Sequence, residues 1–219
     1  MPYATTSALV DAVRQYTDWS GGTDTQILDM VNRVHFRIQR EHDFTFQEQV
    51  ASASLATATA GFSRFATPTD LKEMLNIYNV LASGNIELNY SDFGRAIVVF
   101  NQASAAVHPT DWSIWRDEIV IFPALNSAIN AQMYYYRFLP DLSATSSDNF
   151  LNLGSDALFY GTLYEYSMFM GESQRKQEWQ ELHRDAVGSL LRYHRSGRVR
   201  PYKNPIPNTP GRIGNSTGQ

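Results

Sequence analysis

Five histidines, His35, His42, His108, His183 and His194, are the side chains best suited to hold a metal or move a proton near neutral pH. None has a second ligand at the helical i+3 or i+4 spacing that a preformed zinc or di-metal site uses, so they read as surface or helix-end residues. Glu41-His42-Asp43 sets two carboxylates beside an imidazole, at a helix C-terminus where the dipole favours a cation anyway. Asp111 and Glu118 form only a dispersed carboxylate pair for acid–base work. The chain has no phosphate-cradling loop, dinucleotide glycine fingerprint, Gly-x-Ser-x-Gly elbow or His-Glu-x-x-His. It also has no cysteine, which excludes disulfides and thiolate metal sites. The residues predict no enzyme, no cofactor and no metal.

The chemistry that remains is recognition. Arg195 to Gln219 carries Arg195, Arg198, Arg200, Lys203 and Arg212 with no acid. That leaves 13 basic residues against all 22 acidic ones in the body. Such a tail has too few large apolar groups to offset an ordering entropy of about 1–2 kcal/mol per residue, so its order must come from a partner. Arg198, Arg200, Pro201, Tyr202 and Lys203 intersperse charge with anchors, and Pro205, Ile206 and Pro207 bias the backbone towards polyproline II. From Gly197 onward it reaches on the order of 70 Å at about 3.1 Å per residue. Four aromatics are further contact candidates: Trp112 and Trp115 point to opposite faces of one strand, and Tyr134-Tyr135-Tyr136 places rings on both faces of another. Trp112, Trp115, Tyr134 and Tyr136 are therefore candidates for packing on the chain's own helices or on a neighbour.

The elements that position these groups follow from hydrophobic period. Leu9, Val13 and Tyr16 predict a helix over about 6–18, stopped near Gly21-Gly22. Thr23 and Gln26 have capping-box spacing, and Ile27, Met30, Val31, Val34 and Ile38 continue a second helix to Glu41. From Phe44 to Pro140 short β-branched and aromatic runs replace the helical period. The clearest strand is Ile129 to Arg137; Trp112 to Trp115 and Glu118 to Phe122 form a hairpin about Arg116-Asp117. Weaker strands are expected in Gln47 to Phe65 around Gly61, and in Met74 to Val80 with Ile86 to Tyr90, with a short helix near Ser91 to Phe100. Two long helices follow. Leu153, Ala157, Tyr160, Gly161, Tyr164 and Met168 line the first, which Gly171 stops; Trp179, Leu182, Ala186, Leu190 and Tyr193 line the second. The predicted fold class is α+β: an antiparallel helical bundle built from both ends of the chain (1–43 and 141–196), an inserted β module (44–140) and an extended C-terminal arm (197–219).

At 219 residues and 43% hydrophobic composition the chain can bury a substantial core. Nothing in it approaches the roughly 18 apolar residues of a membrane span, and its start lacks a signal-peptide pattern, so a soluble protein without membrane association is expected. The formal net charge of −4 opposes wholesale nucleic-acid binding, which only the arm could supply.

The order of elements, the extended arm and the segment Tyr134 to Arg195 together resemble the head-to-tail adaptor proteins of short-tailed bacteriophages, also called tail accessory or head completion proteins. Within that segment the similarity lies in Tyr135-Tyr136-Arg137-Phe138-Leu139-Pro140-Asp141-Leu142, Asn149-Phe150-Leu151, Ser155 to Leu163, and Glu172 to Trp179. The chain departs from the pattern where Gly154-Ser155-Asp156 stands in place of Pro-Asp before the helix. The resemblance implies a structural, non-enzymatic virion protein at the head–tail junction, made in the host cytoplasm. It implies a homo-oligomeric, dodecameric ring between the portal protein and the tail nozzle or tail fibres, with genomic DNA passing through without specific binding. The arm residues Arg198, Arg200, Pro201, Tyr202, Lys203, Pro205, Ile206, Pro207 and Arg212 would then dock on the portal. Two other roles suit the same residues: a tail-tube or tail-completion protein binding only tail components, or a nucleic-acid accessory protein using the basic arm.

Overall fold

The computed structural model describes residues 3–17, 22–57, 62–100, 105–147 and 149–197. Its first two helices are α1 (Thr6–Thr17) and α2 (Asp24–Glu41). Thr23 caps α2: its side chain accepts from Gln26 N at 3.2 Å, and the Gln26 amide oxygen accepts from Thr23 N at 3.0 Å. These are the two reciprocal bonds of a capping box. A 3-10 turn, Thr45–Gln47, leads into β1 (Glu48–Leu55), β2 (Ser63–Ala66), β3 (Leu71–Leu81), β4 (Gly84–Glu87) and β5 (Asn89–Tyr90). After α3 (Phe93–Phe100) come β6 (Asp111–Trp115), β7 (Glu118–Phe122) and β8 (Ile129–Arg137), then α4 (Asn149–Met170) and α5 (Ser173–Gly197).

The expected fold class, a helical bundle carrying an inserted β module, is overturned by the sheets. They form two four-stranded layers, β1-β8-β3-β4 and β2-β7-β6-β5, and make up a large part of an α+β fold. Every pairing in them is antiparallel except β5 with β6. The short runs looked like a minor insert because consecutive strands divide between layers: β1 and β2 join different sheets, as do β4 and β5. The two inner faces meet in one core, with Leu55, Ile77, Ile129, Ala131, Met133 and Tyr135 from one sheet and Trp112, Ile119 and Ile121 from the other. The opposite face of β7 is also covered, as Val120 and Phe122 pack with Ala96 and Phe93 of α3. Four consecutive side chains, Ile119 to Phe122, are thus fully buried. Each contributes about 1.5–3 kcal/mol of burial free energy, which accounts for a strand with no polar alternation.

The helices build a separate core from Leu9, Val13, Ile27, Val31, Val34, Phe150, Leu158, Leu163, Trp179 and Leu190. Gly171 takes the left-handed φ of +72° and ends α4, with Glu172 N donating to Ser167 O at 3.0 Å. The return is antiparallel, since Gly154 faces Leu190 and Gly161 faces His183. Helix α4 starts at Asn149 and carries its one non-helical residue, Gly154, inside it. The faces expected for α4 and α5 are corrected in part: Leu153, Met168, Leu182 and Tyr193 are exposed, while Leu151, Leu158, Leu163 and Val187 are buried. Helix α4 packs against α1, α2 and α5, so its buried side is broader than a single stripe.

Candidate interaction surfaces

A buried polar joint fixes the sheets to the helices. Gln39 of α2 accepts from Leu139 N at 2.6 Å, just past β8, and its amide nitrogen lies 3.1 and 3.2 Å from the ring nitrogens of His35. Gln47 donates to Arg137 O at 3.2 Å and accepts from Phe44 N at 3.0 Å. Gln39, Gln47 and His35 are all about fully buried, where an unpaired amide would cost about 1–3 kcal/mol. Lys72 of β3 closes the opposite side by donating to His42 O at 2.6 Å and to Asp43 at 2.7 Å. Asn32 exchanges two bonds with the Leu142 backbone, at 2.8 and 3.0 Å, and pins the loop leaving β8 onto α2. None of the links between elements was expected from the sequence, because their partners lie 29 to 110 residues apart.

The four predicted contact aromatics separate by burial. Trp112 faces the inter-sheet core at 4% exposure, so its strand presents Trp115 outward, stacked on Phe93 of α3 with ring centroids 4.4 Å apart. On β8, Tyr136 is 6% exposed and donates to Glu48 at 3.2 Å, whereas Tyr134 lies open beside Tyr78 and Val50 on the outer sheet face. Trp112 and Tyr136 are thus occupied by their own chain, while Trp115 and Tyr134 remain accessible. The arm residues Arg198, Arg200, Pro201, Tyr202, Lys203, Pro205, Ile206, Pro207 and Arg212 lie outside the described residues.

Two helical surfaces missed by the sequence reading stand out. Asp29, Asn32, Arg33, Phe36, Arg37, Arg40 and Glu41 of α2, with Asp141, line an open groove of about 1010 Å³. Phe36 is 45% exposed there, beside Phe138 and beneath the Arg40 guanidinium. The second surface is the α4–α5 groove of about 430 Å³, lined by Leu153, Asp156, Leu182, Asp185, Ser189 and Tyr193 among others. The spacing of the α2 arginines is the signal the sequence offers for the first.

His183 sits between α4 and α5 with one ring nitrogen engaged. Its Nδ1 lies 2.9 Å from Ala157 O, and since a carbonyl only accepts, this nitrogen carries the proton. Burial pushes its pKa below the usual value; the Ala157 bond opposes that and the nearby Arg37 guanidinium adds to it. Arg37 itself pairs with Glu165 of α4. Asp111 accepts from Ser91 at 2.6 Å and Glu118 pairs with Arg64, so each carboxylate of the dispersed pair has a structural partner. Among the described residues no group of three or more His, Asp or Glu side chains is placed to hold a metal, and no helix is long and apolar enough to cross a membrane.

The surfaces are therefore suited to contact with other macromolecules: exposed aromatics on a packed pair of sheets, and charged grooves along the helices. Comparison with curated proteins gives no match. The model of the SU10 adaptor protein family, in contrast, matches residues 4–204 and so takes in all the helices and both sheets. The chain belongs to the SU10 adaptor protein family and is a structural virion protein of the bacteriophage head–tail adaptor type.

Proposed function

We propose that this adaptor assembles as a dodecameric ring between the portal protein and the tail nozzle or fibres, extends the DNA channel, and holds the portal through its C-terminal arm. The observation that carries the reading is the extent of the family match. It runs past the end of α5 at Gly197 through residue 204, and so includes Arg198, Arg200, Pro201, Tyr202 and Lys203. Charge supports it as well: 22 acidic residues against 13 basic ones before the last five cations suit a channel wall that does not retain passing duplex by neutralising phosphates. In this arrangement Arg198, Arg200, Lys203 and Arg212 pair with portal carboxylates, while Tyr202, Ile206 and the prolines Pro201, Pro205 and Pro207 supply anchors. The arm orders on docking, which makes assembly sequential. Residues 44–140 present the tail-facing or subunit-facing surface through Trp115 and Tyr134.

A chain ending at Gly197 tests the arm's role. It should retain the circular dichroism and unfolding midpoint of the full chain, yet fail to co-sediment with the assembled portal ring from the same genome at physiological salt. Equal co-sedimentation by both forms would refute docking through the arm.

A further inference from the structure

Helices α2 and α5 carry outward stripes of matched spacing and opposite charge. On α2, Arg33 and Arg40 bracket Phe36; on α5, Glu178 and Asp185 bracket Leu182. Within each pair the charges stand seven residues apart, about 10.5 Å along a helix, with the apolar side chain between them. Phe36 is 45% and Leu182 37% exposed, and all four charged residues are accessible at the surface. Among the described residues no ion pair uses Arg33, Arg40, Glu178 or Asp185.

The stripes cannot satisfy each other within one chain. Gln177, Gln180, Glu181, His183, Arg184 and Val187 are the α5 side chains lining the groove towards α2. Leu182 and Asp185 instead line the groove on the other side of α5, against Leu153 and Asp156 of α4. The α2 stripe lines its own groove with Asp29, Glu41 and Asp141, and no α5 side chain enters that lining. One molecule therefore offers Arg33 and Arg40 about an exposed phenylalanine on one flank and Glu178 and Asp185 about an exposed leucine on another. A contact between unlike patches of identical chains leaves one of each patch free at every step, so it propagates and closes into a ring if the rotation permits.

We propose that the occupant of the α2 stripe is the α5 stripe of a second copy: Phe36 packs on Leu182, and Arg33 and Arg40 pair with Glu178 and Asp185. The inference rests on the ring reading above and names the subunit contact that builds it. Complementary charge sets register and disfavours the α2–α2 and α5–α5 pairings, which would oppose like charges.

The absence of native cysteine permits a direct test. Full-length Phe36→Cys chains are mixed with full-length Leu182→Cys chains under mild oxidation, with and without assembled portal, beside a Trp115→Cys and Leu182→Cys control mixture. The disulfide-linked heterodimer joining positions 36 and 182 should form in clear excess over the control. Adding Arg33→Glu and Arg40→Glu to the first chain should lower its yield about tenfold, equivalent to about 1.4 kcal/mol. Glu178→Arg and Asp185→Arg in the other chain should restore it. All these sites are accessible at the surface, and unchanged circular dichroism would confirm that the variants are folded. Control-level yield in both conditions, or a yield indifferent to the charge swaps, would overturn the contact. Portal co-sedimentation read on the same samples separates the two ideas. Binding without crosslinking leaves the adaptor reading intact and removes this interface, whereas crosslinking without binding keeps the interface and removes the portal.

Discussion

Gly161 of α4 is approached by side chains of both α2 and α5, and Gly161→Ala exposes how the helical core is held. A Cβ at this position would lie 2.5 Å from Val34 Cγ1 of α2 and 2.9 Å from His183 Cε1 and Nδ1 of α5. Carbon atoms rest about 3.5–4.0 Å apart, so the Val34 contact is short by about 1 Å or more. Val34 is fully buried and, being β-branched in a helix, has one strongly preferred rotamer, so it cannot swing clear. The helices must separate instead, which strains the His183–Ala157 hydrogen bond. Overpacking costs about 1–3 kcal/mol, and the helix preference of alanine over glycine returns up to about 1 kcal/mol. The expected net loss is about 1–2 kcal/mol, read as a lower urea midpoint at unchanged slope. Val34→Ala should cost at least about 1 kcal/mol less in the Gly161→Ala background than alone, since truncating the valine makes room for the new methyl. A Gly161→Ala chain as stable as the parent, or additive losses in the double variant, would refute the close-approach argument.

Two further stability measurements probe different layers. Burial lowers the folded-state pKa of His183 below 6.5, so above that value the imidazole is neutral in both states and adds no pH dependence. As pH falls through 6.5 the unfolded chain takes the proton first, and stability declines until the lowered folded pKa is passed. Urea midpoints taken between about pH 7.5 and pH 5 should fall less steeply for His183→Gln than for the parent. Asn79 is fully buried on β3 with neither amide atom hydrogen-bonded, so Asn79→Leu should raise the midpoint by the equivalent of about 1 kcal/mol. A drop of that size would instead indicate that the amide is satisfied.

Local chemistry made much of this architecture legible in the sequence. The Thr23–Gln26 box, the two-residue turn at Arg116-Asp117 and the left-handed stop at Gly171 are each specified within a few residues, and each occurs where its spacing places it. Arg116 takes a positive φ of 58° to make that turn. The alternation in β8 likewise gave its buried face, Ile129, Ala131, Met133 and Tyr135. What sequence could not convey was which sheet each strand joins, because β1 pairs with β8 across about eighty intervening positions while its neighbour β2 pairs with β7. That partition made the sheets a major part of the fold and displaced the expected bundle with an insert. The same non-locality hid the Gln39–Gln47–Leu139 joint. The Arg33–Phe36–Arg40 stripe was legible as spacing, but it gained meaning only once α5 was seen to carry the opposite charge on another flank.

The measurement that bears most directly on the adaptor account is the native mass of the complex formed when the full-length chain, in excess, meets the assembled portal oligomer from the same genome. The account predicts a closed complex with one copy of this chain per portal subunit, and its loss when the chain ends at Gly197. A portal mass that does not change, with the chain instead recovered on isolated tail components, would contradict it.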